Sequence, residues 1–376
     1  MNPMLHLSTK GKEKTIELLN LDFMNLTAII VNYFTEEFLP NLLNILQKED
    51  CIDQIVVADN GSLNDLHEIT GSFSKVKLKT MPYNPGFGAA INRVAEQYPA
   101  EYFLVINPDT LPDPGFAGHL LEGAKQTNAL IAGPRFYWDN EKTFRLPPAL
   151  GYSWKTHFDM QLLQAGSPDA KLVGDAWICR HERFWNADEP FAEPFLSGGC
   201  LLIKNDRKFF ADGKIFDERF FLYYEETDLC FRAFARKQTI VVIPKAEVVH
   251  YWDQSPSAEK GRLMAESHSK FMLKHYGRSP DFPLPPQVQN PKPEIIDLSE
   301  IESSAIFSLE NNVAEQKLFF EIGLNPYFIP FAQADMTGKH FQIPEALIAR
   351  LKPGGYYCRI RNKLNQTLKI WKWKKP

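Results

Sequence analysis

The turn Asn107-Pro108-Asp109 directly follows an apolar run from Tyr102 to Ile106. A buried strand that ends in a short acidic turn can hold a divalent cation. Oxygen ligands of this kind suit Mg2+ or Mn2+, which keep waters and bridge to phosphates. Asp59-Asn60-Gly61-Ser62 ends an earlier apolar run, and its carboxylate can accept a hydrogen bond from a ring N–H or simply make a turn. Asn84-Pro85-Gly86-Phe87-Gly88 offers small residues and backbone N–H groups at a helix start, suited to an anion, with Asn84 equally able to cap the helix. Asn92 lies one turn beyond Gly88 on the same face. Glu225, Glu226 and Asp228 open a later helix, where the dipole favours carboxylates. Asp228 also stands four residues before Arg232, the spacing of a helical ion pair. His250 follows Val248 and Val249, and imidazole is an acceptable ligand for Mn2+. Ser197-Gly198-Gly199 lets a backbone approach a ligand closely, or marks a strand bulge.

The elements around these residues alternate. Leu26 to Val31 is apolar on both faces, as a central parallel strand must be. Leucines at 39, 42, 43 and 46 have helical spacing. Ile55 to Ala58, Val76 to Thr80 and Tyr102 to Ile106 read as strands, and Gly88 to Gln97 as a helix. Such alternation predicts a doubly wound α/β sheet with ligands at the carboxyl ends of its strands, where Asn32, Asp59 and Asp109 all fall. Residues 135 to 193 read as irregular and rich in Trp, Phe and Pro, either a substrate-facing loop or a packed subdomain. Strands at Ile240 to Ile243 and Val248 to His250, then a helix from Glu259 to Tyr276, complete the unit.

Beyond Ser279 the composition changes. Six prolines between 280 and 293 mark a stiff linker. Short alternating segments follow, among them Lys317 to Ile322, Tyr356 to Ile360 and Leu368 to Trp373, which predict a small all-β sandwich. The expected organisation is an extension at 1–24, an α/β domain at 25–278, a linker at 279–296 and the sandwich at 297–376. Lysines alternating with aromatics from Lys369 to Lys375 read as an edge strand.

Composition narrows the function classes. A net charge of −4 gives no basic footprint for nucleic acid. Five scattered cysteines without paired metal spacing read as reduced, buried thiols of a cytosolic protein. No run approaches the length of a membrane span, so at most a peripheral contact at the inner face of a membrane is expected.

Taken in order, Val31-Asn32-Tyr33, the Asp59 turn, Asn84 to Asn92, Asn107-Pro108-Asp109, Ser197-Gly198-Gly199, the stretch Phe216 to Arg232 and Val249-His250 resemble the family 2 glycosyltransferases, in particular their bacterial rhamnosyltransferase-like branch. The resemblance covers about Leu26 to Tyr276. It implies a GT-A fold with a mixed sheet and an inverting, metal-dependent transfer of a sugar from a nucleoside-diphosphate donor, dTDP-rhamnose or a UDP-sugar, to a glycan or lipid-linked glycan acceptor in surface polysaccharide or glycan synthesis. It implies Asn32, Asp59, Asn84, Gly86, Gly88, Asn92 and Asn107 as donor-binding residues. Asp109 and His250 then hold Mn2+ or Mg2+, and Gly198, Gly199, Trp177 and Asp228 face the acceptor or sugar. Trp177 and Tyr224 can stack on a sugar or pack in the core. The base is expected among Glu225 and Glu226, with Glu226 in the slot where similar enzymes carry Asp. The usual glycine after the histidine is replaced by Tyr251. A nucleotidyltransferase would need a glycine and a cation after the first strand, where Asn32 to Glu37 has neither. The other reading is a catalytically weak nucleotide-sugar or glycan-binding scaffold on the same fold. The C-terminal domain can bind carbohydrate through Trp371, Trp373 and Tyr356, form a homodimer, or dock a partner enzyme.

Overall fold

The computed structural model describes residues 24–252, 254, 259–277, 294–310 and 317–376. The expected extension at 1–24 and linker at 279–296 therefore lie almost wholly outside the described residues. The first half winds as β1 (Met24–Asn32), α1 (Leu39–Leu46), β2 (Gln54–Asp59), α2 (Leu66–Thr70), β3 (Val76–Thr80), α3 (Phe87–Gln97), β4 (Ala100–Ile106), β5 (Thr110–Pro112), α4 (Phe116–Thr127) and β6 (Ile131–Tyr137). Two helices follow, α5 (Trp154–Gln164) and α6 (Ala170–Asn186), then β7 (Phe191–Ala192), β8 (Cys200–Lys204), α7 (Glu225–Ala235), β9 (Ile240–His250) and α8 (Lys260–Tyr276).

These strands form one mixed sheet in the order β3-β2-β1-β4-β8-β6-β9-β5, with β7 on β9. The β3-β2-β1-β4 half is parallel, and β8 runs antiparallel between β4 and β6. Residues of β1, β2 and β4 are buried on both faces, which is why they read as unbroken apolar runs. The parallel register sets Asn32 beside Asp59 at the strand ends. The two short strands expected at 240–243 and 248–250 are one strand, β9, and β6 alongside it shifts register between Gly133 and Arg135. The segment expected to be irregular holds α5 and α6. Their apolar residues serve different neighbours, Trp154 facing Tyr276 while Leu163 and Trp177 face the C-terminal sheet, so no single apolar stripe marks them.

The C-terminal part contains β10 (Ile296–Glu300), β11 (Ile306–Ser308), β12 (Leu318–Gly323), β13 (Phe331–Met336), β14 (His340–Gln342), α9 (Glu345–Arg350), β15 (Gly354–Asn362) and β16 (Thr367–Lys375). Five strands pair as β10-β16-β15-β12-β13, and β11 pairs with β14. The two sheets meet through Phe307, Phe320, Phe341 and Trp371, a small sandwich as expected. The tail is not an edge strand, because β16 is paired on both sides. Trp371, Trp373 and Tyr356 are core residues, each at most 6% exposed, and are closed to carbohydrate.

The other face of the five-stranded sheet lies on α6. Glu321 on β12 bonds Arg359, Arg361 and Gln333 there, Arg361 reaches Glu182, and His181 stacks on Phe331 at 4.7 Å. Arg145 and Gln333 exchange main-chain hydrogen bonds of 2.8 and 3.0 Å across the same seam. That face is thus occupied from within the chain and is not free for a second copy. Cys200, Cys230 and Cys358 are buried thiols, whereas Cys179 is exposed.

Candidate active site

At the carboxyl ends of β1 and β2 a hydrogen-bonded turn is built from short polar side chains. Asn32 donates to the Gly61 carbonyl at 3.2 Å and accepts from Thr35, which closes the chain after β1. Asp59 accepts from the Gly61 N–H at 3.1 Å and the Ser62 hydroxyl at 3.0 Å. Asn60 bridges outward, donating to Asn84 at 3.3 Å and to the Gly86 carbonyl at 3.2 Å, while its own buried Oδ1 has no protein partner. Asn84 in turn accepts from the Gly86 N–H. Asn60 is the member of this network that motif reading passed over.

Gly86 and Gly88 fix what lies behind the turn. Gly86 has φ 95°, and a Cβ there would stand 2.4 Å from the Phe221 carbonyl. Phe87 N–H donates to that same carbonyl at 3.0 Å. A Cβ on Gly88 would come within 2.8 Å of Phe216. The donor-side turn is therefore packed directly on the segment that leads into α7. Asn92 belongs to that packing. Its amide donates to the Phe216 carbonyl at 2.8 Å and its oxygen accepts from Ile215 and Phe216, so the buried side chain is committed to the 215–216 backbone rather than aimed at a ligand.

Asp109 and His250 meet because β5 pairs with β9, placing Thr110 opposite His250. His250 Nε2 lies 3.5 Å from Asp109 Oδ1, both side chains nearly buried. Burial alone would raise the Asp109 carboxyl, but His250 beside it and backbone donors hold it below the ordinary carboxylate range. Asn107 is tied to the same place, its N–H donating to the Gly199 carbonyl at 2.9 Å. No cluster of three or more His, Cys, Asp or Glu side chains fit for a metal occurs among the described residues. The protein thus offers two ligands here, one carboxylate and one imidazole. Such a pair fits a hard ion that keeps open positions for substrate oxygens and water.

The carboxylates of α7 stand on the other side of two glycines. A Cβ on Gly199 would lie 2.6 Å from the His250 ring, and one on Gly198 would lie 3.3 Å from Glu226 Cγ. The His250 ring leaves no room for a side chain at position 199, and at position 198 one would push Glu226 aside by a few tenths of an ångström. Glu226 is half-buried and accepts from the Thr227 hydroxyl at 3.2 Å. Burial raises its pKa. Glu225 is almost fully buried, its Oε2 has no partner, and burial followed by the neighbouring Glu226 charge pushes it well up. Both carboxyls follow Tyr223 and Tyr224, at φ 67° and 72°, a left-handed conformation that costs a bulky residue about 1–3 kcal/mol.

Two expected acceptor-side residues are elsewhere. Asp228 is fully buried with both oxygens engaged, by Arg232 at 2.8 Å, His275 at 2.7 Å and Lys274, so it anchors α7 to α8. Trp177 lies in the seam between α6 and the C-terminal sheet with Phe328 and Phe331. Tyr224 is 4% exposed and packs in the core.

Residues 27–186 match the family model described as glycosyl transferase family 2. Glu226 and His250 lie beyond the matched residues. The chain is 29% identical over 234 residues to an N-acetylglucosaminyl-diphospho-decaprenol L-rhamnosyltransferase of Mycobacterium tuberculosis (strain CDC 1551 / Oshkosh), which covers 57% of this chain and 71% of the relative. Among solved structures it is similar to GalNAc-T7 with UDP, GalNAc and Mn2+, at 13% identity and a TM-score of 0.44, over 68% of this chain and 52% of that one. It thus spans about half the length of that protein. It is also similar to glucosyl-3-phosphoglycerate synthase from Mycobacterium tuberculosis with Mn2+, UDP and glucosyl-3-phosphoglycerate, at 16% identity and a TM-score of 0.43, over 69% and 82% of the two chains. Among the described residues no helix is long and apolar enough to cross a membrane.

Proposed function

Given that residues 27–186 match the glycosyl transferase family 2 model, we propose that this chain is a metal-dependent inverting glycosyltransferase. We take 25–278 as its transferase unit and 297–376 as a C-terminal unit. The donor is a dTDP- or UDP-linked sugar, rhamnose being favoured by the mycobacterial relative, and the acceptor is a glycan carried on a lipid, as in that relative's name. The observation that carries the reading is the pair Gly198-Gly199, which sets Glu226 on one side and the Asp109–His250 pair on the other.

In this reading the turn around Asn32, Asp59, Asn60 and Asn84 receives the nucleoside. Asp109 and His250 would hold Mn2+ or Mg2+, which when bound supplies positive charge against the diphosphate. Glu226 takes the proton from the acceptor hydroxyl as its oxygen attacks the anomeric carbon. The new C–O bond forms as the bond to the nucleoside diphosphate breaks, with inversion at carbon. A carboxyl with a raised pKa is a stronger base than a free one, which suits this role. Glu225, deeper and unpaired, does not face the acceptor in this assignment.

A thermal-shift panel of dTDP, UDP, GDP and CDP sugars, each with and without Mn2+, tests the reading. Ligand at about a hundred times its dissociation constant stabilises by roughly 2.7 kcal/mol. The expected result is stabilisation by one nucleotide class only with metal, lost in Asp109→Ala and His250→Ala. Absence of any metal-dependent response would sink the reading. Binding without turnover to any acceptor would make the protein a nucleotide-sugar binder instead.

A further inference from the structure

Neither ring expected to meet a sugar is available, yet a third one stands beside Glu226. Tyr152, half-buried, stacks on Tyr224 with ring centroids 4.6 Å apart and planes at 28°. Tyr224 is itself immobilised by a 2.9 Å hydrogen bond between its hydroxyl and His268 Nδ1 and by Phe271 at 5.7 Å. The chain before Tyr152 is pinned as firmly. Gly151 has φ 63°, and a Cβ there would stand 2.1 Å from the Phe195 ring, three residues before Gly198. Tyr152 is therefore held against the N-cap residue of α7, two residues before Glu226. Burial raises both phenols, the neighbouring Tyr152 adds to it at Tyr224, and the Glu226 charge contributes a smaller part at each.

We propose that Tyr152 is the platform for the acceptor sugar, its side away from Tyr224 stacking on the apolar face of a pyranose ring and presenting one hydroxyl to Glu226. An aromatic ring on a rigid support gives contact area with little loss of side-chain freedom, and its polar rim tolerates neighbouring hydroxyls. This site rests on the transferase reading of Glu226, and it takes the role that Trp177 and Asp228 cannot fill. The half-exposed start of α5 contributes to it as well. Ser153 caps that helix by accepting from the Thr156 N–H, so the residue before the cap is fixed in direction.

The test separates transfer from hydrolysis. With the donor identified by the nucleotide panel, transfer to a set of soluble pyranosides and hydrolysis of the same donor by water are followed for wild type, Tyr152→Phe, Tyr152→Leu and Tyr152→Ala. The expected result is an acceptor KM raised about tenfold in Tyr152→Ala, the size of a 1.4 kcal/mol contact. Tyr152→Leu should lie between, and Tyr152→Phe near wild type, with donor KM and hydrolysis unchanged in all three. An unchanged acceptor KM in both Tyr152→Ala and Tyr152→Leu overturns the platform. So does a parallel fall in hydrolysis and transfer, which would make Tyr152 a prop for Tyr224 and α7. A wild type that hydrolyses donor while ignoring every pyranoside overturns the platform and leaves the base chemistry standing. Failure to bind any donor removes the transferase reading itself, and this proposal with it.

Discussion

Two buried acidic centres in this molecule are built in opposite ways. On α7, Glu225 and Glu226 are adjacent, neither forms an ion pair among the described residues, and burial raises both carboxyls. In the seam with the C-terminal sheet, Glu321 is as buried as Glu225 but lies 2.5 Å from Arg359 and 2.8 Å from Arg361. Burial alone would raise it, and the two guanidinium groups hold it below the usual range. Three residues from Glu225, Asp228 follows the seam's pattern, not its neighbours'. Depth in the protein is common to Glu225, Asp228 and Glu321. What separates chemistry from architecture is whether the charge is compensated: a matched carboxylate is fixed in one state, and an unmatched one is free to exchange a proton.

The largest expected effect breaks the acidic pair on α7. Glu226→Gln should lower kcat by about 10²–10⁴-fold, the range of a lost general base, while the nucleotide-dependent thermal shift persists. Glu225→Gln should stay within about tenfold of wild type by the same measure. Reversed sizes would move the base to Glu225.

Next comes the seam. Glu321→Gln removes the fully buried counter-charge of Arg359 and Arg361, leaving Arg361 only Glu182 at 3.4 Å, and should cost about 3–5 kcal/mol in urea unfolding, with activity per folded molecule retained. Because the folded carboxyl lies below its unfolded value, its stabilisation is present above the ordinary carboxylate range and is lost as pH falls through the folded value. His181, whose ring nitrogens have no partner, is pushed down to about 3 chiefly by burial. It adds to the same acid lability, since the unfolded chain takes up a proton that the folded one refuses.

The smallest effect has the opposite sign. Glu225 binds a proton in the folded state where the unfolded chain has released it, so stability declines as pH rises from about 4.5 towards the raised folded value, by up to roughly 1.4 kcal/mol per pH unit. Glu225→Gln should flatten that slope in urea midpoints followed across neutral pH. An unchanged slope would mean that Glu225 is ionised and compensated after all, and the contrast between the two centres would fail.

β1, β2 and β4 were legible because they are buried on both faces and read as unbroken apolar runs. The strand ends, the Asp109 turn and His250 were legible as ordered motifs, and their convergence follows from the β5–β9 pairing. Asn92 and Asp228 stood in the right stretches but spend their hydrogen bonds inside the protein. Residue type does not reveal that, since an amide or carboxylate looks the same whether it meets a ligand or a backbone. α5 and α6 were hidden because their apolar residues are divided between two neighbours. β16 read as an edge strand because nothing near it in sequence announces β10, more than seventy residues earlier, as its second neighbour in the sheet. Tyr152 belongs to no motif, and its place became visible only through Gly151, Phe195 and Tyr224.

The bridge between Arg145 and Gln333 has two layers: one N–H and one C=O from each main chain, and the Arg145 guanidinium donating to Gln333 Oε1 at 3.1 Å and to Asp335. Any residue except proline can supply the main-chain pair. The main-chain layer would therefore outlast most substitutions at either position, whereas the guanidinium layer needs Arg145 itself.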